Sequence, residues 1–210
     1  MDQDNRPSRH FSPAERARLV NAVRANQNAD DVFDECVVDF LGVSRSDGRC
    51  LDIVDRLGGV TAGRLAAESG LTTGSVTVLV DRLERAGYMT RTRDTQDRRK
   101  VWIEVTDRTR ELNRNLFSHL SEVLPPLFDR FSREQIAAIV DFLEIGTYIN
   151  RQRAALLQDH LVAGTASPEQ RLERAEAFDR DAQKLARCIG DQIRKGGSPK
   201  DFADPAAEDD

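Results

Sequence analysis

The 210-residue chain is 32% charged and 39% apolar, with 6% aromatic residues and a net charge of −5. That balance fits a globular fold packed on Leu, Val and Ala, and the length can bury a proper core. Apolar runs stop after a few residues, as at 136–140, far short of the roughly 20 a membrane span needs. The MDQDNRPSRHF start has no apolar centre of the kind a signal peptide carries. The expectation is a cytoplasmic protein with no membrane contact and no cofactor.

Charge is not spread evenly. Residues 61–110 hold 10 Lys/Arg against 7 Asp/Glu, a surplus of three positive charges, while both flanks are acidic. A local basic footprint matters more for nucleic acid than the global sum. Cys36, Cys50 and Cys188 are odd in number and far apart, which argues against a disulfide framework. Asp34, Glu35 and Asp39 around Cys36 favour its neutral thiol, so a buried hydrophobe is the simpler reading there.

Residues 1–11 are polar and expected to fray. Ser12-Pro13-Ala14-Glu15 has the form of a helix start, with Ser as cap, Pro at the first position and Glu at the third. Leu19, Val20, Val23, Val32, Phe33, Cys36, Val37, Phe40 and Leu41 then recur at three- and four-residue steps, an amphipathic helix to Leu41. Its polar middle, residues 26–31, marks a place to bend or break. A second helix from Arg45 buries Leu51, Val54 and Leu57 before Gly58-Gly59.

After a short extended step at Val60-Thr61, Ala62–Ser69 reads as a helix stopped by Gly70. Thr72 or Thr73 caps the next helix, which runs to Ala86 and Gly87. Residues 88–93 and 100–105 read as two strands around a polar hairpin tip at 94–99. Thr106-Asp107 starts a long helix that Pro125-Pro126 should interrupt. Ser132 caps a helix that buries Ile136, Ile139, Val140 and Leu143 and runs towards Leu161. Ser167 caps a last helix to about 195, and the 197–210 tail reads as disordered.

Spacing singles out residues 60–106. Counting Ala62 as first, Ala66 falls fifth, Gly70 ninth, Val76 fifteenth and Leu79 eighteenth. Those are the places where a helix-turn-helix needs a small crossing residue, a turn glycine and interhelical apolar contacts. On the second helix, Val76, Leu79, Val80 and Leu83 form the core face. Gly74, Val78, Asp81 and Arg85 lie opposite, flanked by Ser75 and Thr77. Gly74 permits close approach to a phosphate. Val78 suits a thymine methyl, and the hydroxyls of Thr72, Thr73, Ser75 and Thr77 suit base edges or phosphates. Arg82 joins this set.

Arg91, Arg93, Arg98, Arg99 and Lys100 crowd the hairpin, where a guanidinium at a narrow tip fits the minor groove. Asp97 reads as a brace on a neighbouring arginine, with Asp81 helping from the helix. His10, His119 and His160 are scattered, and no nucleophile, metal or phosphate-loop motif occurs, so catalysis is not expected.

From Leu41 to Thr106 the chain resembles the MarR family of bacterial transcriptional regulators. The DRLERAG end of the second turn-motif helix and the D-x-x-DRR wing (Asp94, Asp97, Arg98, Arg99) carry the likeness. The resemblance implies a mainly α fold with a small β-wing: a winged helix-turn-helix lobe plus an all-α dimerisation layer. It implies a homodimer on a pseudo-palindromic double-stranded DNA operator, with Arg98 or Arg99 in the minor groove.

The expected organisation is a flexible start (1–11), an N-terminal dimerisation helix (12–42), the DNA-binding lobe (43–106), C-terminal dimerisation helices (107–163), an additional helix (164–196) and the tail (197–210). The resemblance further implies a repressor released by a small aromatic or phenolic effector. Phe33, Cys36, Phe40 and Cys50 are the candidate lining of its cavity, with core packing as their alternative role. Gly48, where the family usually has a larger apolar residue, would loosen or enlarge that cavity. The rival reading is an interaction protein that regulates another DNA-binding factor without touching DNA.

Overall fold

The computed structural model describes residues 11–97 and 99–196. The expectations for residues 1–10, for Arg98 and for the 197–210 tail lie outside the described residues. The chain divides into two compact units, one ending at Ser118 and the other beginning at His119. The division falls inside the segment 107–163 that the sequence reading treats as one block.

The first unit opens with α1 (Pro13–Leu41). Its capping box is formed, with the Glu15 N–H donating to Ser12 Oγ at 3.2 Å and the Ser12 N–H donating to the Glu15 carboxylate at 2.8 Å. The chain does not break at 26–31, and α1 is continuous from Pro13 to Leu41. Those polar side chains face solvent without disturbing the backbone, and Asn26 donates to Asp30 one turn on, at 2.9 Å. Gly42 ends the helix at φ 68°.

Helix α2 (Arg45–Leu57) packs on α1 through Gly48. A Cβ placed on Gly48 would lie 2.3 Å from Val38 Cγ1. The missing side chain therefore closes the α1–α2 crossing, and the expected enlargement of a cavity there is overturned. Helices α3 (Ala62–Ser69) and α4 (Thr73–Arg85) follow, with Gly70 at φ 71° between them. Ala66, Val76 and Leu79 are all buried, as the spacing of the turn motif requires.

Strands β1 (Met89–Arg93) and β2 (Val101–Val105) pair antiparallel, from Met89 opposite Val105 to Arg93 opposite Val101. Val60 adds a two-bond bridge to Ile103, at 3.0 and 2.7 Å, which ties the segment before α3 to the hairpin base. Met89, Ile103 and Val105 face one core with Cys50, Val54, Leu65, Val76, Val80 and Leu83. Val101, at the distal end of its strand, is exposed. Helix α5 (Asp107–Phe117) is pinned to the hairpin base, where Thr106 Oγ1 donates to the Gly87 carbonyl at 2.9 Å and Thr109 Oγ1 to that of Tyr88 at 2.8 Å.

The second unit holds α6 (Leu120–Phe128), α7 (Arg133–Gln158) and α8 (Pro168–Arg194). Pro125 and Pro126 sit inside α6 rather than breaking the chain, against expectation. The break lies nearly two turns earlier, at Ser118-His119. Pro125 and Pro126 are the sixth and seventh residues of the nine-residue α6, so this short helix forgoes the two i→i−4 bonds that would run to the Ser121 and Glu122 carbonyls. At the α7–α8 end, Arg174 donates to the Asp159 carbonyl, and the His160 ring stands edge-on to Phe178 with Nε2 3.4 Å from Asp181.

The burial expected on α7 is not found among the described residues of this unit. Ile139, Val140 and Leu143 are 40%, 45% and 56% exposed. Leu19, Val20, Val32 and Phe40 of α1 are likewise exposed, so within each unit the described residues leave these apolar positions uncovered. Among the described residues, no helix is long and apolar enough to cross a membrane.

Candidate nucleic-acid interface

Helix α4 begins at a Thr72 cap, whose hydroxyl accepts the Ser75 N–H at 3.2 Å and bonds the Ser75 hydroxyl at 2.9 Å. Its core face is sealed against the rest of the lobe by Val76, Leu79, Val80 and Leu83. Thr73, Gly74, Ser75, Thr77 and Val78 are all exposed, and Val78 keeps 62% of its surface in solvent. An added Cβ at Gly74 meets nothing within 4 Å, so this end of the helix is open to close approach. The Thr77 hydroxyl donates to the Thr73 carbonyl at 3.0 Å, which leaves its oxygen free to act as acceptor.

The two arginines that flank this strip are held within the lobe. Arg82 leans towards α2, where Nε donates at 3.2 Å to Asp47 Oδ2 and Nη2 donates to Oδ1. Asp47 is 3% exposed, and its carboxylate also accepts from the Ser44 hydroxyl and N–H. Burial pushes the Asp47 carboxyl up, but the Arg82 and Ser44 hydrogen bonds outweigh it and hold the group below its ordinary value. On the other flank, Arg91 of β1 bridges Asp81, at 2.6 Å, and Glu84. Asp81 thus braces the wing, through Arg91 rather than through the tip.

The tip itself is organised by Asp94. One carboxylate oxygen accepts the Gln96 and Asp97 N–H groups, at 2.7 and 2.9 Å, and the other accepts the Trp102 indole N–H at 2.8 Å. Together these hold its pKa at about 2, the Asp97 N–H contributing most. Asp97 accepts from the main-chain N–H of Arg99 at 3.0 Å, so it shapes the turn where the sequence suggested a guanidinium brace. None of the ion pairs among the described residues takes up Arg93, Arg99 or Lys100, although Lys100 lies near enough to Asp94 to favour its ionised form. All three cations are exposed.

The candidate effector residues do not converge. Cys50 is fully buried in the core, where burial pushes its thiol up despite a hydrogen bond with Ser69. Cys36 and Phe40 are exposed on α1, and Phe33 stands edge-on to Phe117, ring centroids 5.8 Å apart. The expectation of one cavity lined by these four is therefore corrected, since a fully buried core position and an exposed helix face cannot open on the same space. An open cleft of about 620 Å³ lies elsewhere in the unit and is bounded by Leu41, Ser44, Asp47, Arg82, Leu83 and Tyr88.

A turn-motif helix with its outer face bare, beside a hairpin that carries uncommitted cations, defines a winged helix-turn-helix DNA-binding protein. Residues 43–101 match the model of the MarR family. The HTH-type transcriptional regulator YcgE of Bacillus subtilis (strain 168) is 38% identical over 112 residues, covering 53% of this chain and 73% of that protein. The regulator YwhA of the same organism is 27% identical, covering 44% and 67%. Among solved structures, the chain is similar to NadR in complex with 4-hydroxyphenylacetate, at 20% identity over 66% of this chain and 94% of that one, TM-score 0.47. The chain belongs to the MarR family. It is a DNA-binding transcriptional regulator and not an enzyme.

Proposed function

We propose that this regulator acts as a homodimeric, ligand-responsive repressor on a pseudo-palindromic operator, with α4 in the major groove and the β1–β2 hairpin in the adjacent minor groove. The observation that carries this reading is the pairing of a bare α4 strip, Gly74 to Val78, with the exposed cations Arg93, Arg99 and Lys100 on the neighbouring hairpin. Small hydroxyls, a glycine and a valine offer modest direct base readout. Affinity then comes mainly from phosphate contacts and from arginines in a narrow minor groove. Arg98 joins the wing set on its sequence position alone.

Dimerisation follows from the uncovered apolar residues that α1 carries in the first unit and α6 and α7 in the second. The cleft beside Tyr88 and Arg82 has the size and the mix of aromatic and cationic lining that suit a small aromatic or phenolic acid.

An electrophoretic shift on the chain's own upstream DNA tests the reading. Wild type should shift it, and Arg98→Ala/Arg99→Ala should lose the shift at physiological salt. Equal absence of binding by both would support the rival interaction protein. A Val78→Ala or Thr77→Ala loss larger than that of the double wing variant would contradict the division of labour between helix and wing.

A further inference from the structure

From the arrangement around Arg82 we infer that Asp47 is a positioning residue for DNA binding, and that Arg82 acts through it rather than on the nucleic acid. The inference deepens the reading of α4 as the groove helix and rests on it. On the surface of α4, the residues pointing straight out are Gly74, Val78 and Arg85. Arg82 and Ser75 border that strip on one side, and Asp81 borders it on the other. The side towards Asp81 and Glu84 is tied to the wing by Arg91. The side towards Ser75 and Arg82 is tied to α2 by Asp47.

The two ties differ in kind. Arg91 is gripped by partly exposed carboxylates at the lobe surface, 50% and 40% accessible, whereas the Asp47 side chain is 4% accessible. A carboxylate withdrawn from water this far cannot be left unpaired without a large desolvation penalty, so the geometry that satisfies it is strongly held. Satisfying it fixes the Arg82 fork, and Arg82 is rooted about two and a half turns from the bare N-terminal end of α4. Asp47 is itself fixed, as the third residue of α2, by the Ser44 capping box.

The chain of contacts therefore runs from the α1–α2 junction, through Ser44 and Asp47, to the groove helix. Contacts with α3 set how deep α4 sits, and the Asp47–Arg82 fork sets its rotation about its own axis. Arg82 also lines two open clefts of the lobe, one with Leu41 and Tyr88 and another, about 430 Å³, with Gly74, Ser75 and Val78. It is the one lining residue the two share. A group that drew Arg82 away from Asp47 in either cleft would release the same restraint.

Direct contact and positioning predict different binding data. If Asp47 positions α4, then Asp47→Asn and Arg82→Gln each weaken operator binding about tenfold, and the double variant is no weaker than either alone. The slope of log affinity against log salt stays at the wild-type value in all three, because no phosphate contact is lost. Arg82→Lys, which keeps the charge but not the fork, behaves like Arg82→Gln.

The inference is overturned if Arg82→Gln lowers the salt slope by roughly 0.9, the share of one phosphate, or if Arg82→Lys retains wild-type affinity. It is equally overturned if Asp47→Asn, checked for folding by circular dichroism, binds like wild type. Arg82→Gln leaves the buried Asp47 carboxylate without its cation, so it is checked for folding in the same way, and where it does not fold the charge-keeping Arg82→Lys decides through its affinity and salt slope. Failure of wild type to bind any upstream DNA would overturn the groove-helix reading itself, an outcome distinct from normal binding by the variants.

Discussion

Asp94 occupies a place in the wing that the charge pattern alone would assign to a nuisance, a carboxylate amid arginines. Its geometry makes it the turn's organiser, accepting two main-chain N–H groups and the indole of Trp102. With a folded pKa of about 2 against an ordinary 3.8, its stabilising contribution is fully present above pH ~4 and is lost as the pH falls through about 2. Trp102 is the chain's one tryptophan, so its fluorescence reports this turn alone. Wild type should show an emission change between pH 4 and 2 that Asp94→Asn lacks, its emission resembling acidified wild type from the start. Identical titrations of the two proteins would remove Asp94 from this role.

What was legible at this scale followed from local spacing. The caps at Ser12, Ser132 and Ser167 and the bare strip of α4 are near-neighbour properties. The partners of Arg82 and Arg91 are not. Asp47 lies 35 positions from Arg82, so no local pattern pairs the two, and Glu84 reads as one more surface charge.

At the level of elements, the turn motif and wing emerge almost as the sequence suggests, within a residue at each boundary. Glycine stops and period-two alternation are strong local signals. Two elements depart from that reading for reasons of packing. The prolines of α6 were expected to break a helix, but the chain instead turns earlier and starts a new helix that contains them. Gly48 was read as a loss of bulk, whereas α1 approaches until Val38 fills the place of its side chain.

The second point has a sign that can be tested. Gly→Ala within a helix ordinarily gains up to about 1 kcal/mol. At Gly48 the new methyl would overlap Val38, and overpacking of that kind costs about 1–3 kcal/mol. Gly48→Ala should therefore lower the denaturant midpoint, and adding Val38→Ala should recover part of the loss. A raised midpoint in Gly48→Ala would show that the crossing is looser than described.

For the whole molecule, what a single chain leaves uncovered matters as much as what it buries. The helical periodicity of α1 and α7 was legible, and both helices were read as dimerisation elements, although the spacing on α7 was also read as burial of Ile136, Ile139, Val140 and Leu143. A face meant for another subunit has the same spacing as one meant for the chain's own core, so sequence cannot tell them apart. Exposure of Val32, Phe40, Val140 and Leu143 is what supports the proposed dimer. A single winged helix reads only a few base pairs, and two copies held on one face of the duplex would meet successive major grooves about 34 Å apart.

The most direct test of this account is the stoichiometry of the DNA complex, measured by sedimentation velocity on the protein alone and with a duplex spanning its bound site. The account predicts a dimer in free solution at micromolar concentration and two protomers on each operator duplex. A monomer that binds the duplex one chain at a time, with no second copy recruited, would contradict it.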